Sequence, residues 1–331
     1  MLRLPTFGYH RPQSVDEALR VAKDHGPEAS FVAGGTDLYP NMKRRHQRPK
    51  QVISLGALGE LHHSSGDPGA GMTLGAMMRL SEIEHSPLLR EHYPAVAEAA
   101  SLVSTPLLRN MGTLGGNLLL DTRCNYYDQT HEWRESVNFC MKCDGDTCWV
   151  APSSPRCWAV QSSDSAPLLC AMGAEVTLRS ADGGERRLPL GDLYRDDGIA
   201  YVAKDPSELM TSVHLPALNG WRASYRKLRR RGTFDFPVLG VGACVWTEGG
   251  VITDVKIRIG GAGSWPIAAT AAEEMLRGQT ANEELVREAA ASAYKPARAM
   301  DNTDHEARWR KRMAPVFVTR ALFDCLGWTA D

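Results

Sequence analysis

The chain has 331 residues, 43% of them hydrophobic, with 38 Lys and Arg against 39 Asp and Glu. That length supports two or three domains with cores of their own, and the near-zero net charge gives no electrostatic case for nucleic acid or an anionic membrane. No apolar run nears the ~20 residues of a membrane helix and Met1 to Tyr9 has no signal-like core, so the expected compartment is the cytoplasm, where clustered cysteines serve metals rather than disulfides.

The first helix is marked by Ser14 and Glu17, an S-x-x-E capping box, followed by Val15, Ala18, Leu19 and Ala22 at helical spacing and a stop at Gly26-Pro27. Ser30 to Ala33 reads as a strand delivering the tight turn Gly34-Gly35-Thr36-Asp37, and Val52 to Leu55 as a second strand. Further on, the pattern predicts a strand at Met72–Leu74, a capped helix start at Ser81-x-x-Glu84 and an Ala-rich helix from Pro94 to about Val103. A second glycine turn follows at Thr113-Leu114-Gly115-Gly116-Asn117.

The next stretch holds five cysteines, Cys124, Cys140, Cys143, Cys148 and Cys157, among Gly, Asp, Ser and Pro. That composition suits a segment held by metal–thiolate bonds, with zinc or an iron–sulfur cluster as the two candidates. Beyond it come a helix over Pro167–Ala174, a strand over Glu175–Leu178 with a turn at Asp182-Gly183-Gly184, and a unit ending at Val213–Leu215. Pro216 to Gly220 is the expected boundary. The remainder reads as a basic run, a hairpin of Leu239–Trp246 and Val251–Ile259 joined by Thr247-Glu248-Gly249-Gly250, and helices at Ala268–Arg277, Asn282–Ala293 and Pro315–Leu326. Cys170, Cys244 and Cys325 fall in apolar patterns and read as buried, inert thiols.

A glycine pair after a strand lets backbone N–H groups approach a diphosphate without interference from a Cβ. One such turn is common in any α/β protein; two, each followed by Thr36 or Asn117, can converge on one diphosphate. Neither is a G-x-G-x-x-G or Walker sequence, which disfavours nicotinamide-binding Rossmann and P-loop readings.

In Ala33-Gly34-Gly35-Thr36-Asp37-Leu38, Arg109-Asn110-x-Gly112-Thr113-Leu114-Gly115-Gly116-Asn117, Ser163-Asp164-x-Ala166-Pro167 and Tyr225-x-Lys227, the chain resembles the flavoprotein (medium) subunits of the molybdenum hydroxylases. The resemblance implies an α+β fold. A two-lobed FAD-binding region would comprise subdomains 1–56 and 57–218, the latter with a cluster-binding loop inserted at about 119–160, and residues 219–331 would form a C-terminal domain of sheet and helices. It implies non-covalent FAD, with Ala33, Gly34, Gly35, Thr36, Asp37 and Leu38 and Thr113, Leu114, Gly115, Gly116 and Asn117 on the diphosphate. Asp164 and Lys227 would lie against the flavin, and Val103 and Met210 would supply apolar contacts. From the residues alone, Asp164 reads equally well as a helix cap and Lys227 as part of a solvated basic face with Arg226 and Arg229 to Arg231.

In ordinary members of the family only a short connection separates Asn117 from Asp164, so the cysteine stretch is similar to an insertion carrying its own cofactor. With Asp196-Asp197-Gly198 and Arg231-Gly232-x-x-Asp235-Phe236-Pro237, it resembles the β subunits of 4-hydroxybenzoyl-CoA reductases. That branch implies one [4Fe–4S] cluster on Cys124, Cys140, Cys148 and Cys157, with Cys143 as the unused thiol or its substitute. It also implies a large molybdopterin subunit and a small [2Fe–2S] subunit in a dimer of heterotrimers. Electrons would run from ferredoxin through cluster and FAD to the partners, for reductive dehydroxylation to benzoyl-CoA. The competing expectations are the flavin subunit of another molybdenum hydroxylase, an FAD-dependent oxidase or dehydrogenase with a structural zinc loop, and a metal-stapled module without flavin.

Overall fold

A computed structural model describes residues 3–217, 219–304 and 306–329; the outer limits expected at Met1, Leu218 and Asp331 lie outside them. Three sheets carry the architecture. The first is parallel, with Gln51–Ser54 between Gly8–His10 and Ala29–Val32. Its helix, Val15–His25, starts where Ser14 Oγ accepts from Glu17 N at 3.2 Å, and its apolar face buries Val15, Ala18, Leu19 and Ala22. The other face of the sheet packs Val32, Met42 and Val52.

The second sheet is antiparallel, in the order Ser64–Asp67, Gly71–Gly75, Leu209–Leu215, Glu175–Arg179, Glu185–Pro189. The helices Leu80–His85, Pro94–Ser101 and Ser165–Met172 pack with it around the largest core, which includes Leu74, Ile83, Val96, Leu169, Val176 and Val213. The cap expected at Ser81 lies two residues earlier. Arg79 N donates to Glu82 Oε2 at 2.7 Å, and Glu84 turns away to a bidentate pair with Arg109 at 2.7 and 3.1 Å.

The third sheet is antiparallel, in the order Ile267–Ala268, Val251–Gly260, Leu239–Glu248, Trp221–Leu228. Gly249 and Gly250, at φ +56° and +84°, turn the central hairpin, because two successive positive φ values match the twist of the flanking strands. The helices Thr270–Leu276, Glu283–Ser292 and Ala307–Leu326 contribute to the core on this sheet. The last helix begins at Ala307 rather than at Pro315, which sits inside it. Cys170, Cys244 and Cys325 are buried free thiols in these cores.

The cysteine stretch is an extended loop with one short helix, His131–Ser136. Its two ends meet in a bridge between Arg123 and Val160. It is anchored to the second unit by Gly198 N to Cys157 O (2.9 Å) and to the third by Asn302 Nδ2 to Trp158 O (2.7 Å) and Ser264 Oγ to Ala159 O (2.8 Å). Arg44 to Asp128 and Arg48 to Asp144, both 2.8 Å, join it to the first.

Candidate functional site

The strand Ala29–Val32 runs into Ala33-Gly34-Gly35-Thr36, and Asp37 precedes the short helix Leu38–Lys43. Gly35 stands at φ +72°, where a side chain is strained, and a Cβ there would come 2.5 Å from the Tyr39 ring. A Cβ on Gly34 would overlap the carbonyl of Met111. The second turn starts at Thr113, whose Oγ1 accepts from Gly116 N at 3.1 Å and caps the helix Leu114–Leu118. Gly116 faces the first turn, since a Cβ built on it would stand 3.8 Å from that of Ala33. Gly115 N donates to Ala76 O (2.8 Å), and Ala76 N to Thr211 O (2.9 Å), beside Met210. The two turns therefore meet, and bare backbone lines their junction.

Gly34→Ala is expected to force the turns apart at an overpacking cost of about 1–3 kcal/mol. The flavin-to-protein ratio of the purified variant should fall well below one; full flavin content would show that the junction is not where the ligand sits.

Asn117 ties the second turn to the segment that follows the cysteine loop. Its Oδ1 accepts from Ser163 Oγ (2.6 Å) and Ser165 N (3.2 Å), all buried. Asp164 does not cap the helix that follows it. It is 2% exposed, and its carboxylate accepts from Tyr225 OH (2.8 Å) and Lys227 Nζ (3.0 Å). Lys227 Nζ also donates to Leu102 O (2.8 Å), next to Val103, so this lysine belongs to the interior and not to a solvated face. Burial lifts Asp164 to about 6 despite Lys227 and Tyr225, and burial lowers Lys227. Asp37 is likewise raised to about 6 by burial, against the pull of Arg123. Met210 is buried in the main core within the strand Leu209–Leu215.

Three arginines of the basic run face carboxylates of this chain: Arg226 meets Asp324 at 2.5 Å, Arg230 meets Glu306 at 3.0 Å, and Arg231 pairs with Asp235. Those partners reduce the charge available to an acidic visitor.

All five clustered cysteines are buried free thiols. Cys124, Cys140, Cys148 and Cys157 line one cavity with Tyr127 and Lys142, and Cys143 is not among its lining residues. About 230 Å³ free of atoms lies there, counting what opens to solvent, of which the centre of a water-sized sphere reaches about 10 Å³. Ala159 N donates to Cys157 Sγ at 3.4 Å, and backbone N–H groups near the other three sulfurs ease their ionisation: Tyr126 and Tyr127 at Cys124, Lys142 and Cys143 at Cys140, and Val150, Ala151 and Trp158 at Cys148. Such bonds favour sulfur that carries negative charge. Cys143 Sγ instead meets Arg134 Nη1 at 2.8 Å.

Burial pushes the Cys124 thiol up to about 12 and raises Cys140 as well, whereas the neighbouring Cys157 thiol holds Cys148 below the ordinary thiol value. Buried bare thiols resist ionising, so a cation must accompany their thiolate forms. Among the described residues, no three His, Cys, Asp or Glu side chains are arranged to hold a single metal ion. The backbone bends sharply here, with Asn138, Phe139 and Asp144 all at positive φ. A Cβ on Gly198 would come 2.7 Å from Cys157 Sγ, which explains a glycine at that distant position.

Arg123 joins the loop to the first turn. Its guanidinium lies 3.7 Å from Asp37, pairs with Asp128, and stacks 4.0 Å from the Phe236 ring centroid. Arg134 has no signal in the sequence pattern beyond being a cation interleaved with cysteines, which composition alone cannot tell from a solvated loop.

Residues 5–218 match the family described as the FAD binding domain in molybdopterin dehydrogenase, and residues 223–324 the CO dehydrogenase flavoprotein C-terminal domain. The carbon monoxide dehydrogenase medium chain of Hydrogenophaga pseudoflava is 26% identical over 321 residues, 96% of each chain. The aldehyde oxidoreductase FAD-binding subunit PaoB of Escherichia coli is 30% identical over 281 residues, covering 82% of this chain and 86% of its own. Among solved structures, a carbon monoxide dehydrogenase from Hydrogenophaga pseudoflava superposes with a TM-score of 0.81 at 26% identity, over 99% of this chain and 100% of that one.

Proposed function

Because the chain belongs to the FAD-binding medium subunits of the molybdenum hydroxylases, we propose that it holds FAD non-covalently across its two glycine turns and a [4Fe–4S] cluster on Cys124, Cys140, Cys148 and Cys157. As a member of that family it is an oxidoreductase subunit that transfers electrons. Substrate chemistry belongs to a large molybdenum subunit, with a small iron–sulfur subunit as the third partner. The observation that carries the cluster reading is the set of four buried thiols lining one cavity.

When bound, FAD exchanges one or two electrons and an iron–sulfur cluster one at a time, which suits traffic with a one-electron carrier. The chain's own part is to bind and orient. Gly34, Gly35 and Gly116 leave the space a diphosphate needs, and Asn117 fixes the second turn to the Asp164 segment. Lys227 and Tyr225 hold the Asp164 carboxylate in place where water is excluded.

The insertion, with Gly198 packed on Cys157, supports the finer reading: a ferredoxin-fed 4-hydroxybenzoyl-CoA reductase in which this chain delivers electrons for dehydroxylation to benzoyl-CoA. A second reading has an observation of its own. The relatives named above are a carbon monoxide dehydrogenase and an aldehyde oxidoreductase, which favours an oxidising complex with electrons leaving through this chain. The purified complex decides between them. Benzoyl-CoA formed from 4-hydroxybenzoyl-CoA with reduced ferredoxin supports the first; flavin bleaching by an aldehyde or carbon monoxide, with no benzoyl-CoA, selects the second.

A further inference from the structure

Arg134 sits on the short helix His131–Ser136 inside the insertion and is fully buried. Nη1 donates to Cys143 Sγ at 2.8 Å, while Nε and Nη2, shielded from solvent, have no hydrogen-bond partner. Its neighbour Lys142 is placed differently: Nζ donates to Asp121 Oδ1, Thr122 Oγ1 and Gly198 O, each at 2.8 Å, so its charge is balanced and its donors are used. Among the described residues no carboxylate pairs with Arg134. A buried guanidinium without an anion is costly, and one with idle donors beside a set of thiols is poised for an anion that completes the site.

The geometry points to Arg134 as the charge partner, and therefore the potential-setting residue, of an anionic group held by Cys124, Cys140, Cys148 and Cys157. This rests on the iron–sulfur reading of those four cysteines. Four thiolates leave such a group net negative, and each electron it accepts makes it more so. A fixed cation nearby therefore favours the reduced form and raises the reduction potential. Cys143 is the seat that aims the cation: its N–H donates to Cys140 O at 2.8 Å, and its side chain packs in the same cluster as Cys124, Cys140 and Cys157. The fifth thiol thereby gains a role without being a ligand.

The test uses the full chain and its Arg134→Gln, Arg134→Lys and Cys143→Ala variants, with iron, acid-labile sulfide and FAD assayed on each. The cluster is titrated with dithionite and followed by electron paramagnetic resonance. Arg134→Gln is expected to shift the balance at least tenfold toward the oxidised form, which for one electron is a fall of about 59 mV. Arg134→Lys should recover most of that, and in a Cys143→Ala background, where the cation loses its seat, the Gln substitution should produce a smaller shift in the same direction. Should the Gln variant lose its iron, retention by the Lys variant at unchanged FAD supports the charge role equally. An unshifted potential in an iron-loaded Gln variant overturns the inference, as does a shift that vanishes without Cys143, or iron lost equally from the Gln and Lys variants. Iron missing from the unsubstituted chain at full FAD is a separate result: it removes the cluster reading and this inference with it, and leaves the flavin reading intact.

Discussion

Replacing Cys124 by Ala is expected to take the iron of this chain from about four atoms to near zero while leaving FAD at one per chain. Four thiolates share a [4Fe–4S] core, and loss of one opens an iron to water and to dissolution. The flavin is expected to survive because its turns are held by bonds that do not pass through sulfur: Gly115 to Ala76, Thr113 to Gly116, and Asn117 to Ser163. Cys143→Ser in parallel should keep its iron, because that sulfur faces Arg134 and does not line the cavity. Iron retained by the Cys124 variant but lost from the Cys143 variant would reassign the ligands. Zinc in place of iron in the native chain would turn the loop into a structural site.

Lys227→Met is expected to be among the most destabilising single changes in the chain, at about 3–5 kcal/mol, since it strands the buried Asp164 carboxylate with only Tyr225 OH for company. Asp164→Asn combined with Lys227→Met should recover much of that loss, and urea unfolding of both singles and the double closes the cycle. The direction with pH follows from Asp164. Its folded value, raised by burial to about 6, lies above the ordinary 3.8, so the folded chain binds more protons than the unfolded one between those limits. Stability assigned to this group is therefore lost as pH rises through that window. Without Lys227 the value climbs further, so the deficit of Lys227→Met should be larger at pH 8 than at pH 5. Additive losses in the cycle, or a deficit indifferent to pH, would mean the two groups do not act as a pair.

Local signals with a complete mechanism were legible. Ser14 caps its helix on Glu17 N, and Gly35 and the pair Gly249-Gly250 take the positive φ their turns require, whereas Gly115 and Gly116 lie in the short helix Leu114–Leu118 rather than in an open turn. The strand Gly8–His10 was not visible, because three residues show no alternation and its pairing with Gln51–Ile53 is entirely long-range. Trp221–Leu228 read as the start of a basic run because Arg222, Arg226 and Lys227 dominate it, although Ser224 and Tyr225 are buried. Pro315 masked the start of its helix, since a proline is most at home in a first turn. The hardest residue to read was Arg134, which in a polar loop looks solvated and is wholly buried.

The loop's anchors have a consequence for how such a segment is gained or lost. Arg44 and Arg48 reach it from the first unit, Gly198 from the second, and Ser264 and Asn302 from the third. An ordinary surface excursion can be trimmed by one deletion at its base, because nothing else depends on it. Cutting this one would remove partners from loops of all three units at once. Shedding it would thus demand coordinated changes at positions scattered from residue 44 to residue 302.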